Sequence, residues 1–256
     1  MAKLSTSIIA LNQADKIADA ISTVLWTDEI VLADSNSTDD TAAIAGSMGA
    51  RIVQIPFTTF SELRNRAADA CSGDWILSLD PDERCTAEVR DEILALLEGK
   101  PEFDAYYIPR RNWFMGRWIK GSGWYPNYRQ PQLYRKGSMR YTRIIHEAVE
   151  MVDGGRIGYL KNAMWQFPFR NFEELLHKAN RYSTVGARML EDRRVSMWTA
   201  LAHGFWAFVR HYVFKAGFRD GWAGFVIAFG NFEGTFYRYA KRHEQTQPWD
   251  QPPLRE

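Results

Sequence analysis

The sequence predicts an α/β fold: a mostly parallel sheet with helices on both faces, followed by a C-terminal helical extension. Three observations support this. Over the first hundred residues, short apolar runs alternate with segments whose apolar residues recur at helical spacing. Alternation at that pace belongs to parallel strands joined by crossover helices. From Asn171 to about Arg242 the pattern turns helical throughout, and the chain beyond Gln245 is polar and proline-rich. The expected division is a first domain over residues 1–165 and a helical region over 166–256.

In order, Ser5–Leu11 reads as the first strand, and Ile17, Ile21, Val24 and Leu25 then recur on one helical face. Glu29–Ala33 is the second strand. It runs into Asp34-Ser35-Asn36-Ser37-Thr38-Asp39-Asp40-Thr41, where Ser37 is the expected N-cap of a helix ending near Gly49. Arg51–Ile55 is the third strand, Phe60–Ala70 a helix, Trp75–Leu79 the fourth strand and Ala87–Leu97 a helix. Tyr106–Pro109 is a further strand. Residues 110–131, rich in Gly, Trp, Tyr, Arg and Pro, read as a long loop, and loops of that length are often functional or mobile. Gln132–Arg135 and Arg140–Ile145 read as two more strands.

The last helix carries Phe218, Trp222, Phe225, Phe229, Phe232, Phe236 and Tyr239, spaced by four and three, which makes one aromatic stripe. That stripe could pack on the preceding helix. It could also meet lipid at a bilayer interface or a second subunit, and Lys215, Arg219, Arg238, Lys241 and Arg242 nearby would suit anionic headgroups.

A chain of 256 residues with 46% hydrophobic and 25% charged side chains can bury a large core without covalent staples. Cys71 and Cys85 have neither metal-type nor redox-type spacing, which suits a reducing cytoplasm. No secretory signal is expected, because the first apolar stretch is short. The uncharged stretches Val195–Val209 and Gly221–Phe232 fall short of the roughly 18 to 20 apolar residues of a spanning helix. The net charge of +1 hides a division: residues 1–109 sum to −11 and residues 110–256 to +12. Such asymmetry points the basic half toward a negatively charged partner. Nine Lys and Arg with no Asp or Glu fall between Arg110 and Arg143. No nucleic-acid-binding motif accompanies them, so nucleic acid is not the expected partner.

In open parallel sheets, ligands bind outside the carboxyl ends of the strands. Asn12, Asp34 and Asp80 each stand at such an end. After the fourth strand come Asp80-Pro81-Asp82-Glu83, three carboxylates within four residues. Crowded carboxylates repel, and magnesium commonly binds through one or two of them plus substrate phosphates. A cation there would bridge a diphosphate and offset the charge that develops as it leaves. The other reading is an acidic turn that caps the helix starting near Thr86. Asp34–Thr41 is equally open: a polar capping turn, or Asp34 accepting a base N–H while Ser35 or Ser37 touches ribose or phosphate.

Ile8-Ile9-Ala10-Leu11-Asn12, Asp34–Thr41, Arg64-Asn65 and Leu79-Asp80-Pro81-Asp82-Glu83 together resemble the inverting glycosyltransferases of family 2, which have the GT-A fold. Pro109-Arg110-Arg111-Asn112, Gly123-Trp124-Tyr125-Pro126, His146-Glu147 and Lys215–Gly221 narrow the resemblance to the branch that includes bacterial lipopolysaccharide-core glucosyltransferases. The resemblance implies that Leu11, Asn12, Asp34 and Arg64 line the nucleotide site, that Asp80 contacts ribose or donor sugar, and that Asp82 binds a divalent metal. Two departures stand out: Gln13 where Glu is usual, and Pro81 where Ala is usual.

An inverting transfer also needs a base for the acceptor hydroxyl. Glu147 is the candidate, with His146 either a metal ligand or the group that orients Glu147. The basic residues from Arg110 onward are interleaved with Trp113, Trp118, Trp124, Tyr125 and Tyr128, and aromatic faces stack on sugars while Arg forks recognise phosphate or carboxylate. Arg110, Arg111, Trp124 and Tyr125 are therefore the expected acceptor contacts, and charge reversal at Arg110 and Arg111 should raise the acceptor KM. The expectation is a cytoplasmic enzyme, peripheral on the inner membrane, that transfers glucose from UDP-glucose to a lipid-linked or lipopolysaccharide-core saccharide. Magnesium or manganese would assist, and the C-terminal helices would offer membrane, acceptor or homo-oligomer contacts. A nucleotidyltransferase or a non-catalytic nucleotide-sugar-binding protein are the alternatives. The first would show a Gly-rich basic loop after strand one, and Leu11-Asn12-Gln13-Ala14-Asp15 lacks it.

Overall fold

The computed structural model describes residues 2–142, 148–191 and 194–246. The chain forms two compact units, Met1–Asn112 with Pro126–Phe167, and Trp113–Tyr125 with Pro168–Glu256. The break at Phe167 lies two residues past the expected boundary at 165, and Trp113–Tyr125 clusters with the second unit rather than the first.

In the first unit, β1 (Leu4–Ala10), β2 (Glu29–Asp34), β3 (Arg51–Gln54) and β4 (Trp75–Leu79) alternate with α1 (Ala14–Ser22), α2 (Thr41–Ser47) and α3 (Phe60–Ala70). Then come β5 (Glu83–Arg84), α4 (Ala87–Glu98), β6 (Ala105–Tyr107) and β7 (Arg110–Phe114). The second unit contributes β8 (Arg117–Ile119), and the first resumes with β9 (Leu133–Arg135), β10 (Met139–Thr142), β11 (Ala148–Met151), β12 (Ile157–Tyr159) and β13 (Met164–Gln166). The main sheet runs β12-β6-β9-β4-β1-β2-β3, and β9 alone runs antiparallel to its neighbours.

Alternation along the strands explains the layers. Ile8, Leu32, Leu77 and Leu79 face a core shared with Ile17 and Ile21 of α1 and Val89 and Ile93 of α4. Ile9 and Ala33 point the other way, onto Leu63 and Ala67 of α3. Both faces are covered, so the central strands read as nearly unbroken apolar runs. Cys71 and Cys85 are free and buried, and burial pushes both thiols up to about 12, so neither is a ready nucleophile.

Glu29, at the start of β2, ties the sheet together. It accepts from Ser5 Oγ at 2.6 Å, Ser72 N at 2.7 Å and Arg51 Nη2 at 2.7 Å. Burial raises its pKa, but these donors more than reverse that and hold it at about 2. A carboxyl depressed on folding adds stability that is present above its unfolded value near 4.5 and lost as pH falls through about 2. Glu29→Gln should therefore lower the unfolding free energy by about 1–2 kcal/mol at neutral pH, allowing for solvent screening. Urea titrations should show that difference vanish near the low pKa. An undiminished difference in acid would assign it to packing instead.

The second unit holds α5 (Phe172–Arg188), α6 (Met197–Val209) and α7 (Gly221–Glu244). The predicted continuous helical run is broken between α5 and α6, and again at residues 215–216, between a π-helical turn over Arg210–Phe214 that continues α6 and a 3-10 turn over Gly217–Asp220. Phe218 consequently stands in a short 3-10 turn ahead of α7. The seam α7 buries is Ala223, Gly224, Ile227 and Ala228, not its aromatics. A Cβ on Gly224 would lie 1.8 Å from Gly217 O, so only glycine allows that approach. The aromatic stripe divides. Phe225 packs edge-on against Phe208 of α6, and Tyr239 stacks on His203, whereas Phe218, Trp222 and Phe229 remain exposed. Among the described residues no helix is long and apolar enough to cross a membrane.

Candidate active site

Register places the strand ends side by side. Ala10 pairs with Asp34, and Ile8 pairs with Leu79, so Asp80 follows directly at the end of β4. Two strand spacings separate β4 from β2, roughly 10 Å, within the span of one nucleoside diphosphate.

The loops after β1 and β2 are laced together. Asn12 takes a left-handed conformation, φ 52°, which asparagine tolerates. Its Oδ1 accepts from Thr38 N at 2.8 Å, and its N donates to Ser37 Oγ at 2.9 Å. Ser37 also donates from N and Oγ to the Asp34 carboxylate. The predicted N-cap role of Ser37 is thereby corrected: Asp40 is the capping position, and Ser37 instead bridges the two strand ends. Asp39 accepts from Ala14 N at 3.1 Å and Thr41 N at 3.1 Å, which links the first turns of α1 and α2. Leu11 is exposed, and Asp34 is buried under its own turn. Ser35 is buried too, and its Oγ has no hydrogen-bond partner among the described residues. An orphaned hydroxyl of this kind costs about 1–3 kcal/mol, which a ligand oxygen would relieve.

Arg64, buried in α3, donates to Asp80 Oδ1 at 2.8 Å and to Ser78 Oγ at 3.1 Å. Burial works against ionisation of Asp80, but the Arg64 and Arg110 guanidiniums outweigh it and hold the carboxyl below its usual range. Arg64 thus acts on Asp80 directly, a contact that the sequence did not indicate.

Glu83 is fully buried and serves as the bracket of the acidic turn. It accepts from Asp80 N at 2.9 Å, from Gln132 Nε2 at 2.8 Å and from Arg110 Nε. Burial, with Asp80 and Asp82 nearby, pushes Glu83 up to about 7 against the pull of Arg110. On the other side, Gln166 Nε2 lies 3.5 Å from both oxygens of Asp82, and Phe167 N donates to Asp82 O at 2.8 Å. β13 holds Gln166 there through its antiparallel pairing with β5.

The donor set suits a hard cation. Asp82 is only partly buried, and the neighbouring Gln166 Oε1 is a buried oxygen without a hydrogen-bond partner among the described residues. Oxygen ligands are what magnesium or manganese takes, and one or two carboxylates suffice when phosphates complete the shell. Among the described residues no group of three or more His, Cys, Asp or Glu is placed to hold a metal. His146 and Glu147, the expected second ligand and base, lie outside the described residues.

Of the predicted acceptor contacts, Arg110 requires correction, and the loop that was expected to carry them does too. Residues 110–131 are not one loop, since β7 and β8 form within them. Arg110 is 1% exposed, pairs with Glu83 and donates from Nη1 to Asn127 O at 3.0 Å, so it is a core group and not a surface cation for an acceptor. Charge reversal there would break the core instead of raising KM. Arg111 is half-buried, with its guanidinium 5.7 Å from the Trp165 ring centroid. Trp124 and Tyr125 belong to the second unit, where Trp124 packs on Phe114 and Phe169 and Tyr125 stands edge-on to Trp118. Sequence reading missed Gln132 and Gln166 altogether. A glutamine at the end of a short apolar run was the one available signal.

Residues 5–168 match Glycosyl transferase family 2. The chain is 30% identical over 254 residues to the uncharacterized glycosyltransferase RP128 of Rickettsia prowazekii (strain Madrid E), covering 94% of this chain and 87% of that protein. It is 27% identical over 256 residues to the lipopolysaccharide core biosynthesis glycosyltransferase LpsC of Rhizobium meliloti (strain 1021), covering 94% and 92%. Its fold is similar to that of S. aureus TarS 1–349 in complex with UDP, with a TM-score of 0.50, 16% identity and coverage of 97% and 93%. The nucleotidyltransferase and non-catalytic readings are set aside by these relatives. With carboxylates at the end of a central strand in a mostly parallel GT-A sheet, and a match across most of its length, the chain is a glycosyltransferase and belongs to family 2.

Proposed function

We propose that this glycosyltransferase moves a hexose, glucose in the first instance, from a UDP-sugar to a lipopolysaccharide-core or other lipid-linked saccharide, with inversion. The supporting observation is the alignment of Asp80 and Asp82 beside the strand ends bearing Asn12 and Asp34. The acceptor class takes its support from the name of LpsC. Asp80, kept ionised and fixed by Arg64, is suited to accept hydroxyl protons from ribose or donor sugar. Ser35 Oγ offers an unused hydrogen bond to the nucleotide. Asp82 is the residue that would hold magnesium or manganese, and when bound the cation supplies positive charge against the departing diphosphate.

In the transfer, the acceptor hydroxyl oxygen bonds to the anomeric carbon and the bond from that carbon to the diphosphate oxygen breaks. The electron pair leaves with the nucleoside diphosphate. The hydroxyl proton passes to a carboxylate base, for which Glu147 is the candidate. Peripheral attachment to the inner membrane belongs to the same reading, with the exposed aromatics of the second unit as its contact. Self-association through those aromatics is the competing use.

A thermal-shift screen of nucleotide sugars with manganese tests the donor. A donor at a hundred times its Kd should stabilise the protein by about 2.7 kcal/mol. The product released with UDP-glucose should be UDP, and pyrophosphate in its place would overturn the reading.

A further inference from the structure

In the second unit, a cavity is built around the segment Lys215–Gly221. Asp220 accepts from Gly121 N at 2.6 Å and Lys120 N at 3.2 Å, and Ser122 N donates to Lys215 O at 2.8 Å. A Cβ on Gly121 would come within 2.5 Å of Ala216 O, so the two segments are fitted backbone to backbone. They enclose a cavity of about 400 Å³ whose walls include Arg117, Trp118, Lys120, Lys215, Arg219 and Asp220.

Four cations converge on this cavity with one carboxylate, and that carboxylate is engaged by two backbone amides. Among the described residues, no acidic side chain lies within ion-pair distance of Arg117, Lys120, Lys215 or Arg219. Lys120 instead sits 4.6 Å from the Trp118 ring centroid, and Lys215 Nζ lies 3.4 Å from His211 Nε2. Burial, then the nearby Arg210, depress the Lys215 ammonium, as expected where cations lack a counter-charge. A single carboxylate would offset only part of this charge, whereas a phosphate monoester carries about −1.5 to −2 and three strong acceptors. The cavity also has room for a sugar or glycerol unit attached to that phosphate.

We propose that this cavity of the second unit is a binding site for a phosphate group carried by a saccharide or lipid headgroup. Phe214, Phe218 and Trp222, all exposed, lie along the same stretch of chain and would enter a lipid interface if the phosphate belongs to a lipid.

The test uses the full chain without donor, so its outcome is separate from that of the proposed transfer. Lys120→Gln/Arg219→Gln removes two exposed cations, and unchanged circular dichroism and Tm would show an intact fold. The control, Arg181→Gln/Arg188→Gln, removes equal charge from α5, outside the cavity. Glucose 1-phosphate and glycerol 3-phosphate are titrated by calorimetry, and phosphatidylcholine–phosphatidylglycerol vesicles by co-sedimentation. The cavity variant should bind at least about tenfold more weakly than wild type, and the control should match wild type. A loss confined to glucose 1-phosphate identifies a saccharide phosphate. A loss on vesicles, with competition by glycerol 3-phosphate, identifies a lipid headgroup. Absence of binding by wild type to every probe, or equal losses in variant and control, overturns the proposal.

Discussion

Asp82→Ala should leave the protein folded and lower kcat for sugar transfer by about 10²–10⁴-fold. Asp82 is partly exposed and stands in the turn between β4 and β5, outside the apolar core, so truncating its side chain opens no cavity in the sheet. Its removal takes away the oxygen that would hold a cation against the leaving diphosphate. At about 1.4 kcal/mol per tenfold, the loss corresponds to roughly 3–6 kcal/mol of transition-state stabilisation. Measuring UDP release and acceptor glycosylation, with circular dichroism as the folding control, decides it. A folded Asp82→Ala enzyme with wild-type kcat would remove the metal role from this residue.

The largest effect on stability is expected at Arg110. Its guanidinium and the Glu83 carboxylate are buried together, 1% and 0% exposed. Removing Arg110 leaves Glu83 buried without its counter-charge. The carboxyl then either stays ionised and uncompensated or takes up a proton and gives up its charge-assisted contacts, at a cost of up to about 3–5 kcal/mol. Arg110→Met should therefore lower Tm by roughly 6–20 °C. It should also disturb the acidic turn, since Glu83 accepts from Asp80 N. The double variant Arg110→Met/Glu83→Gln, which removes both charges, should recover much of the loss. No difference between single and double variants would mean that Arg110 acts by packing alone.

Much of the first unit was readable along the chain. The alternation of strand and helix, the apolar strand runs and the positions of Asn12, Asp34 and Asp80 at strand ends all follow from local pattern, because a parallel sheet imposes periodicity and places its ligand end the same way in every instance. Arg110 was not readable. A run of cations without acids looks like solvated surface, and its partner Glu83 lies 27 residues earlier. Ser37 was misread for a related reason: a serine ahead of a helix is a capping signal, yet Asn12, 25 residues away, claimed its hydroxyl. The aromatic stripe was visible as a stripe, but helical spacing cannot say that α7 would bury its small residues and leave Trp222 and Phe229 exposed.

What the residue order settled alone was therefore the class of fold and the chemical type of the site, since both depend on short-range spacing of apolar and acidic side chains. Which charges meet inside, which remain outside, and which segments join the second unit were decided by tertiary structure. Those outcomes depend on contacts between residues far apart in the chain, where burial makes an ion pair or an unfilled hydrogen bond count and no local spacing records the partner.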